Sequence, residues 1–492
     1  MKKPALVVIS LFAFAAWPAA GIAQTSAACD PHDQLVCACT NLGFKPSDPR
    51  QNACFLGDVN YATITQVDPL SQRAFIALNW PVKRDGEGKA VTGLPDFDAS
   101  LSGDWTTVWE TWKSTNAIFR NGNPPLDWDV PGVPLPGACS EIDTAAARAA
   151  IPYSSQIPDA VPPRFLDEYV NPDGHALLDR NGVPVRFDVH FNRQAYDYVA
   201  GNRLWDARDL ERFIEANKRL DLPVGTWDKG DGVPAKRGAI VIKSAWKVLD
   251  AKDDPARFHK SWAYITPVIE NGKLTHECQL KPVGLVGLHI AYKTATMKDW
   301  AWSTFEHTEI APLWSEIGAT EEGAFGDGSA VPDWLFYGKE KPSVDQRGAA
   351  KLNTPPKKAL DNQPSRITRF YPNGYYAGPV SAGDTETCSI TTPEFHCLNV
   401  QLAGHFAGSP LGNYRLKGTQ WLKYSPGMGG YTVLPEILGN AVIETFTQDT
   451  SNCMSCHSFA GPEVNGSPKG MYDFLFSFGR DVLNPTVPLQ AR

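Results

Sequence analysis

The residues best suited to chemistry lie near the C-terminus, at Cys453-Met454-Ser455-Cys456-His457. Two thiols at this spacing can add to the two vinyl groups of a haem, and the adjacent imidazole is then placed to bind the iron. A thioredoxin-like redox pair is the rival reading, since Cys-x-x-Cys-His occurs there too. That motif begins a helix early in a βαβ domain of about 100 residues. Here only 36 residues follow Cys456, and no parallel βαβ pattern precedes it. A structural disulfide is the bland alternative. The expected cofactor is therefore one covalent haem c on Cys453, Cys456 and His457, with His457 as the proximal iron ligand.

The late position of the motif bears on the second face of the iron. In small cytochromes c the motif comes first and a Met ligand follows tens of residues later. Here the tail is short and Met471 is its only Met. Four-helix cytochromes place the motif C-terminally, but four long amphipathic helices must precede it, and they do not. The candidates for the distal side are His289, His307 and Met471. His289 shares an alternating strand face with Gly287, Ala291 and Lys293, small neighbours that let a flat ring approach. The opposite face, Val286, Leu288, Ile290 and Tyr292, is core-like. His307 ends the stretch Trp302-Ser303-Thr304-Phe305-Glu306-His307. Each has an ordinary counterpart reading: a hydrogen-bonded structural His or a core Met. Lys243 and Lys293 could approach haem propionates, although solvated lysines are the default.

The elements that must position these residues follow from pattern and composition. Residues 1–23 read as a cleaved secretory signal peptide: Lys2 and Lys3, an uncharged apolar run from Ala5 to Ala16, then Gly21-Ile22-Ala23. No later stretch is long and apolar enough to span a membrane. Export to the periplasm makes sense of the cysteines. The eight outside the motif (Cys29, Cys37, Cys39, Cys54, Cys139, Cys278, Cys388 and Cys397) are an even number in an oxidising compartment, enough for four disulfides. A zinc site from the first four lacks a paired Cys-x2-Cys knuckle. Loss of the two signal lysines moves the formal charge from -8 to -10, which does not suit nucleic acid or anionic lipid.

Residues 24–165 are expected to form an N-terminal disulfide-containing and helical region, with one helix from Asp104 to Phe119 carrying Trp105, Trp109, Trp112 and Ile118 on one side. Ala207 to Leu220 reads as a helix capped by Asp206. Residues 166–315 read as an antiparallel sheet region. Gly238 to Trp246 alternates, with Ile240, Ile242 and Trp246 opposite Ala239, Val241 and Lys243. Trp262 to Ile269, Val283 to Lys293 and Trp300 to His307 are further strands, and Asn271-Gly272 is a hairpin turn. Residues 316–385 are expected to be loop-rich. Residues 386–492 form the haem-attachment region, in which Cys388 and Cys397 could close a hairpin and Asn440 to Thr447 reads as a short helix. The fold class is α+β, an antiparallel β-sheet haem-binding core with peripheral helices and long loops.

Several stretches resemble the large bacterial periplasmic single-haem proteins labelled only as "cytochrome c family protein", whose reaction is not established. They are Trp109–Phe119, Leu178–Tyr198, Gly238–Trp246, Gly284–His307, Gly418–Trp421 and Cys453–His457, and they span most of the chain from about residue 105 to 460. A second resemblance concerns architecture. The order Gly238–Lys243, Trp300-Ala301-Trp302 and Cys453–His457 is similar to that of β-sheet c-type cytochromes, the lysine-cross-linked hydroxylamine-oxidising proteins and their cytochrome c′-β relatives, at longer spacing. Both resemblances imply haem and periplasm rather than a particular activity. The expected function is that of a periplasmic monohaem c-type cytochrome in electron transfer, with a redox partner protein. The alternative is a haem enzyme acting on a small-molecule substrate such as peroxide, hydroxylamine or nitric oxide at an open iron site.

Overall fold

The alternation of apolar residues that begins at Ile240 builds one large sheet. The computed structural model describes residues 64–158, 161–226, 236–270, 273–275, 277–313, 334–337, 353–355, 364–370, 394–425, 430–461 and 472–483. The signal peptide, Cys29, Cys37, Cys39, Cys54, Cys388, Met471, the Asn271-Gly272 turn and most of 316–385 lie outside these residues.

The described strands are β1 (Val82–Arg84), β2 (Ala90–Pro95), β3 (Lys113–Ser114), β4 (Arg164–Leu166), β5 (Arg186–Phe191), β6 (Ile240–Val248), β7 (Lys260–Ile265), β8 (Val268–Glu270), β9 (Lys273–Thr275), β10 (Gln279–Tyr292), β11 (Ala301–His307), β12 (Tyr414–Ser425) and β13 (Gly430–Leu434). The helices are α1 (Ile64–Leu78), α2 (Thr115–Ile118), α3 (Gly137–Ser140), α4 (Thr144–Ala149), α5 (Arg193–Gly201), α6 (Ala207–Asn217), α7 (Glu394–His405) and α8 (Cys453–His457). Nine strands form one sheet in the order β13-β12-β11-β10-β6-β5-β3, with β7 and β4 attached beside β10. Every pairing in it is antiparallel except β4 with β7. The α+β class is thus observed. The sheet also draws strands from outside 166–315, at 113–114 and 414–434.

The period-two pattern sorts the two faces as expected. Ile240, Ile242, Trp246, Leu288, Ile290, Tyr292, Ala301 and Phe305 join one core with α1 and Leu398 and Leu402 of α7. Val241, Ala291 and Trp302 face the other way, against Leu210 of α6, Val199 of α5 and the C-terminal residues Met454, Leu475 and Phe478. Val286 departs from the expected face. The β10–β6 register shifts between Leu285 and Gly287, and Val286 packs with Ala245 and Val442. The helix expected at Ala207 forms, with Asp206 accepting from the Arg208 and Asp209 amides and left-handed Lys218 ending it.

Three expectations are corrected. Asp104 to Phe119 is not one helix: a single 3-10 turn at Trp109–Thr111, strand β3 and α2 follow one another. Its tryptophans still share the α1 core, where side-chain bonds anchor them. Trp105 and Trp109 donate to Asn79 O and Oδ1 at 2.8 and 3.0 Å, and Glu110 Oε2 accepts from the Thr107 amide at 2.7 Å. Asn440 to Thr447 is a run of turns: the Glu444 amide reaches Asn440 O and the Thr447 amide reaches Glu444 O as separate turns, and the Ala441 amide is bonded to Glu306 Oε1 at 2.6 Å. Cys397 sits on α7 rather than in a hairpin, and is disulfide-bonded. Cys139 and Cys278 form a second disulfide.

Candidate functional site

The segment leading into the motif is fastened to the sheet by its polar groups. Asn440 Nδ2 donates to Thr304 Oγ1 at 2.8 Å and to Phe305 O at 3.0 Å. Val442 packs where β10 offers only Gly287: a Cβ there would overlap Val442 Cγ2 and lie 3.1 Å from Asn440 Oδ1. The motif then forms α8, capped by Asn452, whose Oδ1 accepts from the Ser455 amide at 2.8 Å. Gln420 on β12, within the Gly418–Trp421 stretch, accepts from the Met454 amide at 3.0 Å and donates to Pro435 O at 2.7 Å. One sheet side chain therefore holds both the approach and the first turn of α8.

Cys453 and Cys456 are free thiols, half-buried and exposed respectively, while the other described cysteines are disulfide-bonded. Burial, followed by the Glu444 carboxylate, pushes the Cys453 thiol well above its ordinary range. A thiol held in that form is a poor attacking group for disulfide exchange, which counts against the thioredoxin-like reading. His457 packs its ring on Trp302, with centroids 4.3 Å apart, and beside Phe476 at 5.2 Å. Its Nδ1 donates to Phe474 O at 2.7 Å, which fixes the tautomer and leaves Nε2 as the lone-pair nitrogen. Burial lowers the His457 pKa to about 4, so the imidazole is neutral near pH 7, the form that binds a metal.

The carbonyl that orients His457 belongs to a strained turn. Asp473 and Phe474 both have positive φ, 50° and 63°, a conformation that costs about 1–3 kcal/mol per residue unless the surroundings enforce it. Asp473 supplies the enforcement. Its Oδ2 accepts from Lys293 Nζ at 2.7 Å and from the Leu222 amide at 2.6 Å. Trp300 Nε1 donates to Asp473 O at 2.9 Å. Burial raises the Asp473 pKa against the opposing pull of Lys293.

Beyond His457 on the same sheet face stand His289 and Lys243, paired across β10 and β6. His289 Nε2 lies 3.4 Å from Glu444 Oε2, and Glu444 Oε2 accepts from the Asn440 amide at 2.8 Å. Burial would raise the Glu444 pKa, but His289 and the Asn440 amide hold it below its ordinary value. Lys243 pairs with Glu168 at 3.5 Å and lies over the Phe187 ring. Lys243, Glu444 and His289 lie close enough to act electrostatically on His457. Two buried polar atoms on this face, His289 Nε2 and Trp302 Nε1, have no hydrogen-bond partner. Among the described residues, no group of three or more His, Cys, Asp or Glu could hold a bare metal ion.

The sequence candidates thus separate. His289 lies on the face that carries His457. His307 does not: its Nε2 donates to Arg257 O at 2.9 Å, its Nδ1 accepts from the Glu309 amide at 3.1 Å, and its ring stacks on Phe258. Neither nitrogen is left for an iron. Lys293 is committed to Asp221 and Asp473. Glu444 and Asp473 were not legible, because each matters through a partner distant in sequence. The same is true of a buried charge network at the far end of the sheet. Arg164, between the rings of Trp109 and Trp246, pairs with Glu110 and Asp188 at 2.7 Å each, and His259 and His190 complete it at 3.0 Å each. Its polar groups are mostly paired with one another, as a structural tie between strands requires. Comparison of the chain with protein-family models, with curated proteins and with solved structures finds no match in any of the three.

Proposed function

We propose that this protein is a periplasmic c-type cytochrome that carries one haem on Cys453 and Cys456, uses His457 as the proximal iron ligand and passes electrons to or from a redox partner. The single observation that carries the reading is the company His457 keeps. One helical turn presents two unbonded thiols and a neutral imidazole whose Nδ1 is tied to Phe474 O. Metal-ligating histidines characteristically donate their other ring nitrogen in this way. Fit is supported by the unpartnered Trp302 Nε1 and His289 Nε2 beside the motif. It is also supported by Phe459 and Phe476, 60% and 45% exposed, a bare aromatic rim that a flat apolar group would cover.

Haem, when bound, supplies the one-electron couple. The chain's own residues bind and orient: the thiols tether, Phe474 O fixes the imidazole, and Trp302 backs the ring. The exposed Cys456 and aromatic rim set the attachment edge at the surface, where a partner can approach. The disulfides and the N-terminal apolar run support export. The test is the pyridine haemochrome of wild type and of the Cys453→Ala/Cys456→Ala double variant. A c-type band in the first and none in the second is expected; covalent haem persisting in the double variant refutes the assignment.

A further inference from the structure

The haem reading leaves the second side of the iron open, and the sheet supplies a specific answer. Along one face of β10 and the residue just past its end, His289, Ala291 and Lys293 follow at every second residue, about 7 Å apart. Lys293 holds the turn that takes up His457 Nδ1. Ala291 pairs with Trp302, on which the His457 ring lies. His289 comes next along the strand, on the face that carries Trp302 and close enough to act electrostatically on His457. His289 Nε2 and Trp302 Nε1 are both buried donors or acceptors without a hydrogen bond, and the Trp302 side chain is more than nine-tenths buried. A native interior rarely leaves such atoms unpaired without a missing partner.

We propose that His289 and Glu444 form a hydrogen-bonding pair on the side of the site opposite His457, and that the site binds small polar or anionic iron ligands there. The proposal rests on the haem reading. It assigns His289 to the ligand rather than to the iron for a geometric reason. His289 Nε2 stands 3.4 Å from Glu444 Oε2, and that oxygen is fixed by the Asn440 amide at 2.8 Å. At 3.4 Å, Nε2 faces the anchored carboxylate without completing a hydrogen bond to it; a nitrogen so placed is a donor, with its proton open to a bound ligand and no lone pair turned to a metal. Lys243, beside His289 in the register and paired with Glu168, offsets the negative charge of Glu444. The loop carrying Glu444 cannot retreat from or slide along β10, since Val442 is seated on Gly287 and Asn440 is bonded to β11.

The test uses the mature haem-loaded protein with cyanide as the ferric probe and carbon monoxide as the ferrous one. Wild type is expected to be high-spin or water-bound and to bind both. A hydrogen bond to a charged partner is worth about 1.5–3 kcal/mol, or roughly 10–150-fold in affinity. His289→Leu should therefore weaken cyanide at least about tenfold while changing carbon monoxide affinity much less, with the spin state unchanged. Glu444→Gln, which keeps an acceptor for the Asn440 amide, should weaken cyanide in the same direction and covers the case in which His289→Leu fails to fold. A low-spin ferric wild type that refuses cyanide and becomes high-spin in His289→Leu would make His289 the sixth ligand and overturn the proposal. Cyanide affinity unmoved by both substitutions would also overturn it. Covalent haem in wild type with either of those results leaves the cytochrome reading standing; its absence removes both.

Discussion

Gly287→Ala is the sharpest probe of how the motif is held to the sheet. Gly287 sits on β10 at the point where Val442 and Asn440 cross it. A methyl group there would fall well inside contact distance of Val442 Cγ2 and at 3.1 Å from Asn440 Oδ1. Relief requires the 440–443 segment to lift, because the strand beneath is fixed by β6 on one side and β11 on the other. Overpacking of this kind costs about 1–3 kcal/mol. Spread over a chain this long, that moves the melting temperature only a few degrees, since the entropy of unfolding scales with size. The local signal is larger. The Asn440, Ala441 and Val442 amides are bonded to Glu444 Oε2, Glu306 Oε1 and Asn440 Oδ1. Destabilising their closed state by about 1–3 kcal/mol accelerates opening-limited exchange by roughly 5–150-fold. Hydrogen exchange read by mass spectrometry on a peptide covering 438–446 should show this, with β5 and β6 peptides unchanged. Gly404→Ala is the control, at an exposed α7 position where an added Cβ meets nothing within 4 Å; it should be neutral or slightly stabilising. Unchanged exchange at 438–446 in Gly287→Ala would refute the placement of this segment on β10.

Three further outcomes are expected. Asp473→Ala strips Lys293 of its buried partner at 2.7 Å and releases the turn under His457. It should cost about 3 kcal/mol in denaturant unfolding and perturb the absorption of bound haem; wild-type stability and spectrum would contradict the positioning role. His307, held neutral by burial with a pKa of about 3, takes a proton in the unfolded chain below about pH 6.5 but not in the native one. Stability should therefore fall as pH drops through this window, by about 2 kcal/mol from pH 6.5 to 5, and His307→Gln should flatten the curve; an equal slope in both proteins would count against it. Breaking the Cys139–Cys278 disulfide, which spans 139 residues, with Cys139→Ala/Cys278→Ala should cost about 2–5 kcal/mol, measured by unfolding under non-reducing conditions.

The parts of the structure that were legible are those that depend on local period. Ile240, Ile242 and Trp246 fell on one face of β6 and Val241 on the other because a strand alternates whatever it packs against. Asp206 capped its helix because capping needs only the next few amides. What was not legible depends on partners far along the chain. Trp105, Trp109 and Trp112 have helical spacing, yet their rings reach the α1 core from around a 3-10 turn, with the Trp105 and Trp109 indoles anchored on Asn79, a residue outside the segment. Val286 changed faces because a register shift in β10 is decided by β6, not by its own neighbours. In the site, the motif and His289 announced themselves by residue type. Glu444 and Asp473 did not, since one carboxylate among many gains meaning only when folding brings it to His289 or Lys293. His307 looked equivalent to His289 until its two ring nitrogens were seen to be bonded.

The central claim is that the turn from Cys453 to His457 carries a haem. The most direct measurement is mass spectrometry of the proteolytic peptide containing these residues, from protein purified out of the periplasm and left unreduced. The expected result is one peptide mass increased by a single haem, with the fragment ions placing it on both Cys453 and Cys456. A peptide with two free thiols, or with a Cys453–Cys456 disulfide and no added mass, contradicts it.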